Sequence, residues 1–414
     1  MTAAILSIGT ELTRGELVNT NASWLSERLT ALGLEVTEQL VIDDDHRRIV
    51  EALHALSARH RFVVVTGGLG PTTDDLTTAA AADALGAELV RDEASLEAIQ
   101  RRFATINRPM TPSNEKQADF PRGATILANP IGTAPGFAIT LGSARIFFTP
   151  GVPAEMRRLW EDHIEPAVAP LVERRTHQIR LRTFGMPESA IGEKLATIEA
   201  EEKSVTVGYR ATFPEIEVKV LARGSSESEA EATSARVAER VRLTLGTIVF
   251  GEGEETYPTY VGSVLRSRGL SLAIAESCTG GLVGQLVTSV PGSSEYLLFD
   301  AVTYSNASKI SVLGVNEETI RGYGAVSLEV ATAMADGARR IADADLSVAI
   351  TGIAGPGGGS DEKPVGTVFL ALARRSGATQ SYALKLGGDR ERIRMLSAYQ
   401  ALRLVAEAAL SRQS

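Results

Sequence analysis

Short apolar runs alternate with amphipathic stretches of helical period through most of this sequence. The N-terminal part contains the runs AAILSIGTEL and RFVVVTGGLG, together with helical patterns such as NASWLSERLTALG and DHRRIVEALHALSARH. Strands and helices in this rhythm are typical of a parallel sheet covered by helices on both faces. The pattern therefore predicts an α/β fold with three layers for residues 1–172.

The length of 414 residues is too great for one ordinary core, and two further domains are predicted. Residues 176–250 have a βαββα pattern, which indicates a small α+β domain. The polar stretch FGEGEETYPTY has the composition of a linker. Residues 257–414 then form a third α/β unit, with five predicted strands separated by helices.

Several classes of protein are disfavoured by composition. No stretch has the roughly 18 uninterrupted apolar residues of a membrane span, and the start lacks the features of a signal peptide, so a cytoplasmic protein is expected. A single cysteine excludes an internal disulfide and a thiolate metal cluster. A net charge of -9 without a basic patch argues against direct nucleic-acid binding.

The segment LAIAESCTGGLVGQ brings three candidate nucleophiles together, namely Ser277, Cys278 and Thr279. A serine or cysteine nucleophile commonly uses a histidine as its base, yet all five histidines lie before residue 257. A buried lysine is the known substitute, because burial favours its neutral amine. If this unit is catalytic, the base is expected to be a lysine.

Lys309 is the preferred candidate among the three lysines of the unit. It follows an apolar strand in VTYSNASK, with Tyr304 and Asn306 beside it. The ends of parallel strands are where the sites of α/β proteins collect. A solvated surface lysine remains the alternative for Lys309, while Lys363 is interpreted as a surface charge and Lys385 as part of a strand.

Two glycine-containing loops of this unit are candidate sources of backbone N–H donors for an oxyanion or a phosphate. The first loop precedes the helical stretch LVGQLVTS, and the second follows another apolar strand as TGIAGPGGG. Ordinary turn formation is the alternative for each loop taken singly. The candidate residues of the two loops are Thr279, Gly280, Gly281, Thr351, Gly352 and Gly355.

The N-terminal unit has a comparable feature in VVVTGGLGPTTDDLT, where a buried strand runs into a glycine turn. The turn from Thr66 to Gly70 is suited to cradling a phosphate. Asp74 and Asp75 are candidate ligands of a divalent cation, which prefers oxygen ligands. The alternative is that these two carboxylates cap the following helix or lie in its first turn.

The C-terminal motifs AESCTGG, VTYSNASK, TGIAGPGGGSDEKPVGTV and GDRERIR resemble the C-terminal domain of CinA proteins, similar to the PncC amidohydrolases. The resemblance implies deamidation of nicotinamide mononucleotide to nicotinate mononucleotide and ammonia, without a cofactor. It implies that Ser277 is the nucleophile, Lys309 the base and Tyr304 a further residue of the site. It also implies that Arg390 faces the phosphate and that Asn306 contacts substrate; Asp300 departs from the expected small residue.

Residues 1–172 resemble the molybdopterin-binding fold of MoaB and MogA in its CinA variant, through SIGTEL, GELVNTNASWLSERL, TGGLGPTTDD, NPIGTAPG and TPGVPAEM. This implies a metal-dependent pyrophosphatase that acts on ADP-ribose, and a homodimer. Asp74 and Asp75 would hold the metal ion, whose identity stays open. The implied substrate-binding residues are Gly67, Gly68, Gly70, Glu11, Asn19 and Asn129. The open alternatives are a molybdopterin-binding protein and a non-enzymatic competence or DNA-damage factor.

Overall fold

The computed structural model describes residues 1–411, which form two compact units. The first consists of Met1–Gln178 and Leu221–Arg236. The second consists of Ile179–Val220 and the chain from Val237 onwards.

The first unit is built on a six-stranded sheet in the order β2-β1-β3-β8-β7-β6, with a separate two-stranded sheet of β4 and β5. The neighbours β2, β1, β3 and β8 are parallel, whereas β7 and β6 are antiparallel. A tight hairpin joins β7 to β8, and a two-residue connection can only produce antiparallel neighbours. The sheet is therefore mixed, which corrects the expectation of a wholly parallel one. Its strands are β1 (Thr2–Ile8), β2 (Glu35–Ile42), β3 (Phe62–Thr66), β4 (Leu89–Arg91), β5 (Asp119–Pro121), β6 (Thr125–Leu127), β7 (Gly136–Leu141) and β8 (Ala144–Thr149).

Helices cover both faces of this sheet. Leu6 on β1 packs in one apolar cluster with Leu53, while Ile5 points to the opposite face and packs in a second cluster with Leu25. This alternation is what a strand buried on both faces requires, and the three-layer prediction is confirmed. The helices are α1 (Thr10–Thr13), α2 (Thr20–Ala31), α3 (His46–Arg59), α4 (Thr77–Leu85), α5 (Glu93–Thr105), α6 (Pro153–Leu159) and α7 (Glu165–Val168). Short 3-10 helices cover Pro112–Ala118 and Ala169–Leu171, and a π-helical turn covers Trp160–Ile164.

The middle of the chain contributes a four-stranded sheet in the order β10-β11-β9-β12. The stretch that resembled a linker is structured, because β12 pairs antiparallel with β9. Sequence composition missed β12 because its four residues include a glycine and a glutamate, which carry no strand signal. The strands are β9 (Arg175–Thr183), β10 (Val205–Thr212), β11 (Glu215–Gly224) and β12 (Val249–Glu252), and the helices are α8 (Glu188–Glu201) and α9 (Glu227–Leu245), followed by a 3-10 turn at Gly246–Ile248.

The C-terminal part of the second unit has a five-stranded sheet in the order β14-β13-β15-β16-β17. The first three strands are parallel, and β16 and β17 are antiparallel. All five predicted strands are present, but no helix separates β15, β16 and β17. The strands are β13 (Leu272–Glu276), β14 (Leu297–Val302), β15 (Leu346–Gly352), β16 (Thr367–Arg374) and β17 (Gln380–Lys385).

The central strands of this sheet, β13 and β15, are also buried on both faces. Ile274 of β13 packs in a cluster with Leu402, and the neighbouring Ala275 packs on the other face with Met334. The helices are α10 (Tyr257–Arg268), α11 (Leu282–Thr288), α12 (Asn306–Leu313), α13 (Glu317–Tyr323), α14 (Leu328–Ala342) and α15 (Arg390–Leu410), with a 3-10 turn at Ser293–Glu295. None of the helices in residues 1–411 is long and apolar enough to cross a membrane.

A buried carboxylate ties β11 to two helices of the same unit. Glu215 accepts hydrogen bonds from the backbone N–H of Tyr257 at 3.0 Å and the hydroxyl of Tyr399 at 2.9 Å. Its second oxygen is 2.5 Å from a guanidinium nitrogen of Arg182. The ring of Phe184 packs against both tyrosines. Every oxygen of this charge therefore has a partner, as a carboxylate that is only 4% exposed requires.

Candidate functional site

The loop between β13 and α11 holds the three candidate nucleophiles. Gly280 and Gly281 have φ values of 59° and 90°, a left-handed conformation that side chains rarely adopt. They turn the chain sharply after Cys278, so that Ser277, Cys278 and Thr279 all end up buried. The order strand, loop and helix agrees with the sequence-based expectation.

Lys309 and Ser277 contact each other inside the protein. Lys309 Nζ is 3.1 Å from Ser277 Oγ and 2.8 Å from the carbonyl oxygen of Thr303, with the carbonyl of Tyr304 at 3.5 Å. Only 1% of Lys309 is exposed, which removes the alternative of a solvated surface lysine. Burial lowers the pKa of Lys309 from its usual value, because removal from water disfavours the charged ammonium form.

The buried position of Cys278 has the opposite consequence. Burial raises the pKa of the Cys278 thiol to about 11. A thiol becomes a good nucleophile only as thiolate, and this environment disfavours that form near neutral pH. Among the three candidates, the geometry therefore favours Ser277.

The backbone amides of the loop are not all available to a ligand. Gly281 donates its N–H to Glu276 Oε2 at 2.9 Å, and Gly280 donates to the carbonyl oxygen of Ser277 at 3.1 Å. Within the described chain, the N–H of Thr279 has no such partner, and neither does its buried Oγ1. Of the three residues expected to supply donors here, Thr279 is the one left with free hydrogen-bonding groups.

Arg390 connects two of the sequence motifs. Its guanidinium donates to the carbonyl oxygen of Gly355 at 2.6 Å and to the hydroxyl of Tyr304 at 3.2 Å. Arg390 begins α15, and Tyr304 lies between β14 and α12, five residues before Lys309. The structure thus brings the phosphate candidate, the site tyrosine and the second glycine loop together.

The remaining candidates of this unit have other surroundings. Asn306 is exposed at the first position of α12. Thr351 is buried and donates to the carbonyl oxygen of Ala325 at 2.8 Å. A side chain on Gly352 would collide with Val368, since its Cβ would lie 2.8 Å from that residue's methyl carbon. Packing therefore accounts for Thr351 and Gly352 without a ligand.

Two basic residues of this unit donate to backbone carbonyls, and for Lys363 this differs from the sequence interpretation. Lys363 is half-buried and donates to the carbonyl oxygens of Tyr323 at 3.1 Å and Val326 at 2.8 Å, so it is not a free surface charge. Arg394 donates twice to the carbonyl oxygen of Thr279, at 2.6 and 3.1 Å. Each of these side chains holds a loop in place.

The first unit contains a cavity of about 690 Å³ above the ends of β1 and β3. The backbone at the base of the cavity requires glycine at position 67. Its φ is 107°, and a Cβ there would lie 2.1 Å from the carbonyl oxygen of Ile8. Glu155 and Asp44 also line it, and neither was singled out in the sequence. The candidate residues from the sequence that line this cavity are Glu11, Asn19, Gly67, Gly68, Gly70, Asp74 and Asp75.

The two adjacent aspartates are not helix caps. Helix α4 begins at Thr77, after Leu76 at the cap position, so Asp74 and Asp75 lie in the preceding turn. Asp75 accepts hydrogen bonds from the N–H and hydroxyl of Thr72, which closes that turn. Asp74 is exposed, and hydrogen bonds from Thr72 and its own N–H lower its pKa.

Asn129 does not line this cavity. Its Nδ2 donates to the carbonyl oxygen of Ala134 at 2.9 Å and to Glu155 Oε2 at 2.7 Å. Its Oδ1 accepts from the N–H groups of Ile131 and Gly132. Asn129 instead borders a second cavity of about 600 Å³, and its contribution to the first cavity is to hold Glu155. Burial raises the pKa of that carboxyl group.

The donor set of the first cavity limits how a metal ion is held. Among residues 1–411 no three Asp, Glu, His or Cys side chains are grouped closely enough to bind one alone. Magnesium commonly uses one or two carboxylates together with phosphate oxygens of the substrate. The exposed carboxylate of Asp74, together with Asp75, fits that type of site, which would form only with a phosphate ligand.

The fold and the two sites define an α/β protein of several domains with a buried serine–lysine pair and a separate glycine-lined cleft. Family models match in the same order: "Probable molybdopterin binding domain" over residues 4–170, "Damage-inducible protein CinA KH domain" over 178–251 and "CinA C-terminal domain" over 254–409. The chain belongs to the CinA-like protein family.

Relatives of full length support this assignment. The chain is 43% identical to the CinA-like protein of Geotalea uraniireducens, covering 100% of this chain and 99% of that protein. It is 45% identical to that of Geobacter sulfurreducens, covering 97% and 98%. The solved competence/damage inducible protein CihA of Agrobacterium tumefaciens is 39% identical, with a TM-score of 0.36, over 38% of this chain and 98% of that one.

Proposed function

We propose that the C-terminal site hydrolyses the carboxamide of nicotinamide mononucleotide, giving nicotinate mononucleotide and ammonia. The observation that carries the proposal is the 3.1 Å contact between Lys309 Nζ and Ser277 Oγ in a buried environment. The resemblance of the surrounding motifs to nicotinamide mononucleotide amidohydrolases supplies the substrate.

Lys309 acts as the base in its neutral form. As an amine, it donates its two N–H groups to the carbonyls of Thr303 and Tyr304 and keeps its lone pair for the hydroxyl proton of Ser277. As Ser277 Oγ bonds to the carboxamide carbon, the proton passes to Lys309. The N–H and hydroxyl of Thr279 are the free donors for the oxyanion.

The second half of the reaction restores the enzyme. The Lys309 ammonium returns its proton to the departing nitrogen, which leaves as ammonia while the acyl group stays on Ser277. Lys309 then takes a proton from water, the hydroxide bonds to the acyl carbon, and the bond to Ser277 Oγ breaks. Nicotinate mononucleotide is released after Lys309 has returned that proton to Ser277.

Arg390 is proposed to bind the 5'-phosphate. A guanidinium can hold a phosphate through two parallel hydrogen bonds. Tyr304 and the carbonyl of Gly355 orient this side chain towards the site. The proposal predicts that substrate without the phosphate binds poorly.

Incubation of the purified full-length chain with nicotinamide mononucleotide tests the proposal. We expect ammonia and nicotinate mononucleotide in equal amounts, measured by an enzyme-coupled assay and by chromatography. Ser277→Ala, checked for folding by circular dichroism, serves as the control. Absence of ammonia with the folded wild-type chain would refute the proposal.

For the first unit we propose metal-dependent hydrolysis of ADP-ribose to AMP and ribose 5-phosphate. The cavity that combines a glycine turn with Asp74 supports this, as does the family resemblance. A divalent metal ion held by Asp74 and Asp75 would neutralise charge on the pyrophosphate. Gly68 and Gly70 would approach the phosphates with backbone N–H groups, whereas the N–H of Gly67 already donates to the carbonyl oxygen of Thr149 at 3.0 Å. Glu155, which lines the same cavity, is a candidate base.

The molybdopterin-binding description of the matching family model favours a rival for this unit. Calorimetric titration with ADP-ribose in the presence of magnesium, followed by an AMP assay, separates the two. Release of AMP supports hydrolysis. Tight binding of a pterin without AMP release from ADP-ribose would favour the rival.

A further inference from the structure

We propose that Glu276 is a positioning residue that, together with Arg394, fixes the loop carrying Ser277. This inference rests on the proposed deamidase function. Glu276 immediately precedes Ser277, and its side chain is fully buried. It does not touch the reacting atoms, so its contribution passes through the loop.

The carboxylate of Glu276 grips the far end of the loop. Oε2 accepts the N–H of Gly281 and Oε1 accepts the N–H of Gly284, each at 2.9 Å. A buried carboxylate is stable only when such donors are present, so loop conformation and charge depend on each other. The chain between Ser277 and Gly281 is thereby held at a fixed length and curvature.

The backbone of Glu276 extends this control to the base. Its carbonyl oxygen accepts the N–H of Thr303 at 2.9 Å, and the carbonyl of Thr303 accepts from Lys309 Nζ at 2.8 Å. The positions of both Ser277 and Lys309 therefore depend on the position of Glu276. A displacement at position 276 alters the distance between Ser277 Oγ and Lys309 Nζ.

Arg394 holds the same loop from α15. Its Nε and Nη2 donate to the carbonyl oxygen of Thr279, in the same peptide plane whose Gly280 N–H donates to the carbonyl oxygen of Ser277. Glu276 accepts hydrogen bonds from backbone N–H groups at the end of the loop, and Arg394 donates to the carbonyl oxygen of Thr279 near its start. The two charged side chains therefore fix different parts of one turn. Thr279 is left with a buried hydroxyl that has no hydrogen-bond partner in the described chain.

The test compares Glu276→Gln with wild type. Glutamine keeps the shape but presents one amide NH₂ to a backbone N–H, so one of the two hydrogen bonds is lost. We expect kcat to fall by about 10- to 100-fold with KM within about twofold, as misplacement of reacting groups predicts. The apparent pKa of the kcat profile should stay unchanged, because Lys309 is still the titrating base.

Glu318→Gln is the matched control. Glu318 is exposed on α13 and forms only a loose ion pair with Arg321 at 3.9 Å, so kcat and KM should remain those of wild type. Wild-type kcat in folded Glu276→Gln would overturn the proposal. A shifted pH profile would also overturn it, since the charge of Glu276, acting on Lys309 or on the neighbouring Asp300, would then control the titration.

Hydrogen exchange gives a readout that does not depend on the substrate. The amides of peptides covering 277–284 should exchange at least about tenfold faster in Glu276→Gln than in wild type, because a lost hydrogen bond opens them. If wild type does not release ammonia but exchange accelerates, the proposed function fails while the positioning role stands. If deamidation is normal and exchange is unchanged, the positioning role fails.

Arg394→Gln keeps the proposal testable if Glu276→Gln does not fold. Loss of the hydrogen bonds to Thr279 should lower kcat with little change in KM. A raised KM for nicotinamide mononucleotide with kcat retained would instead assign Arg394 to phosphate binding and overturn its positioning role.

Discussion

Lys309 Nζ and Ser277 Oγ are 3.1 Å apart, and both groups are shielded from bulk water. Among residues 1–411, the polar atoms that contact the amine besides Ser277 are backbone carbonyls, which carry no full charge. The ammonium form is therefore under-compensated, and the protein favours the neutral amine that a base requires.

The first prediction concerns this pair. Ser277→Ala and Lys309→Ala should each lower kcat for deamidation by about a thousandfold or more, and the double variant should be scarcely worse, since residues acting as a unit are not additive. Lys385→Ala, on the exposed strand β17, should retain activity. Strictly additive losses would contradict a shared step.

The rate should also rise with pH as Lys309 loses its proton. Because the pKa of Lys309 is lowered, the midpoint of the kcat profile should lie below the value of free lysine, about 10.4. A kcat that falls as pH rises towards the pKa of free lysine would exclude Lys309 as the base.

A second prediction separates Cys278 from the chemistry. Cys278→Ala should keep most of the activity, and iodoacetamide should react slowly at pH 7, because the raised pKa leaves little thiolate. The measurement is the rate of ammonia release before and after alkylation. A folded Cys278→Ala chain as inactive as Ser277→Ala would restore the cysteine mechanism.

The third prediction tests Arg390. Arg390→Lys should raise KM for nicotinamide mononucleotide by about tenfold and change kcat less, because lysine cannot form the paired hydrogen bonds of a guanidinium. Arg403→Lys, on the same helix but paired with Glu407, is the control. An unchanged KM would remove Arg390 from the phosphate site.

A fourth prediction keeps the two reactions apart. Asp74→Asn should lower ADP-ribose hydrolysis by about 100-fold or more, because an exposed carboxylate of the cavity is lost, and should leave deamidation intact. Addition of EDTA should have the same selectivity. Asp83→Asn, an exposed change on α4 outside the cavity, should affect neither reaction. Parallel loss of ammonia release in folded Asp74→Asn would refute the two-site proposal.

A fifth prediction concerns Asp300, which stands where the family resemblance implied a small residue. Partial burial of its carboxyl group, with Glu276 beside it, raises the pKa of Asp300 to about 7. An unfolded aspartate ionises near pH 4, so the stability that Asp300 contributes is lost as pH rises from about 4 to about 7. Asp300→Asn should therefore raise the melting temperature at pH 8 relative to wild type, with a smaller difference at pH 5. An equal difference at both values would contradict the raised pKa.

The fold class could be predicted from the sequence. So could the motifs that contain Ser277, Lys309, Tyr304 and Arg390. Each lies at the end of a strand or the start of a helix, and both kinds of boundary have strong local signals. The mixed order of the first sheet and the strand β12 were missed, because strand direction and short polar strands depend on distant pairing partners.

The hydrogen-bond partners of the side chains could not be inferred from the motifs. Asn129 and Asp75 have the residue types of ligand-binding groups. Asn129 Oδ1, however, accepts from two backbone N–H groups, and Asp75 Oδ2 accepts from the N–H and hydroxyl of Thr72. Glu276 carried the reverse signal, since a glutamate at the end of an apolar strand indicates exposure. Its burial follows from two glycine N–H groups that approach only in the folded loop.

Glu215 sets a limit on where this chain can be cut. A fragment that begins at residue 254, where the C-terminal family match starts, retains Tyr257 and Tyr399 but loses the acceptor of both. It also exposes the aromatic faces that Phe184 covers. For such a fragment to fold alone, substitutions at Tyr257 and Tyr399 are expected to be needed. Related domains that evolved as separate proteins are therefore expected to carry smaller or more polar side chains at these two positions.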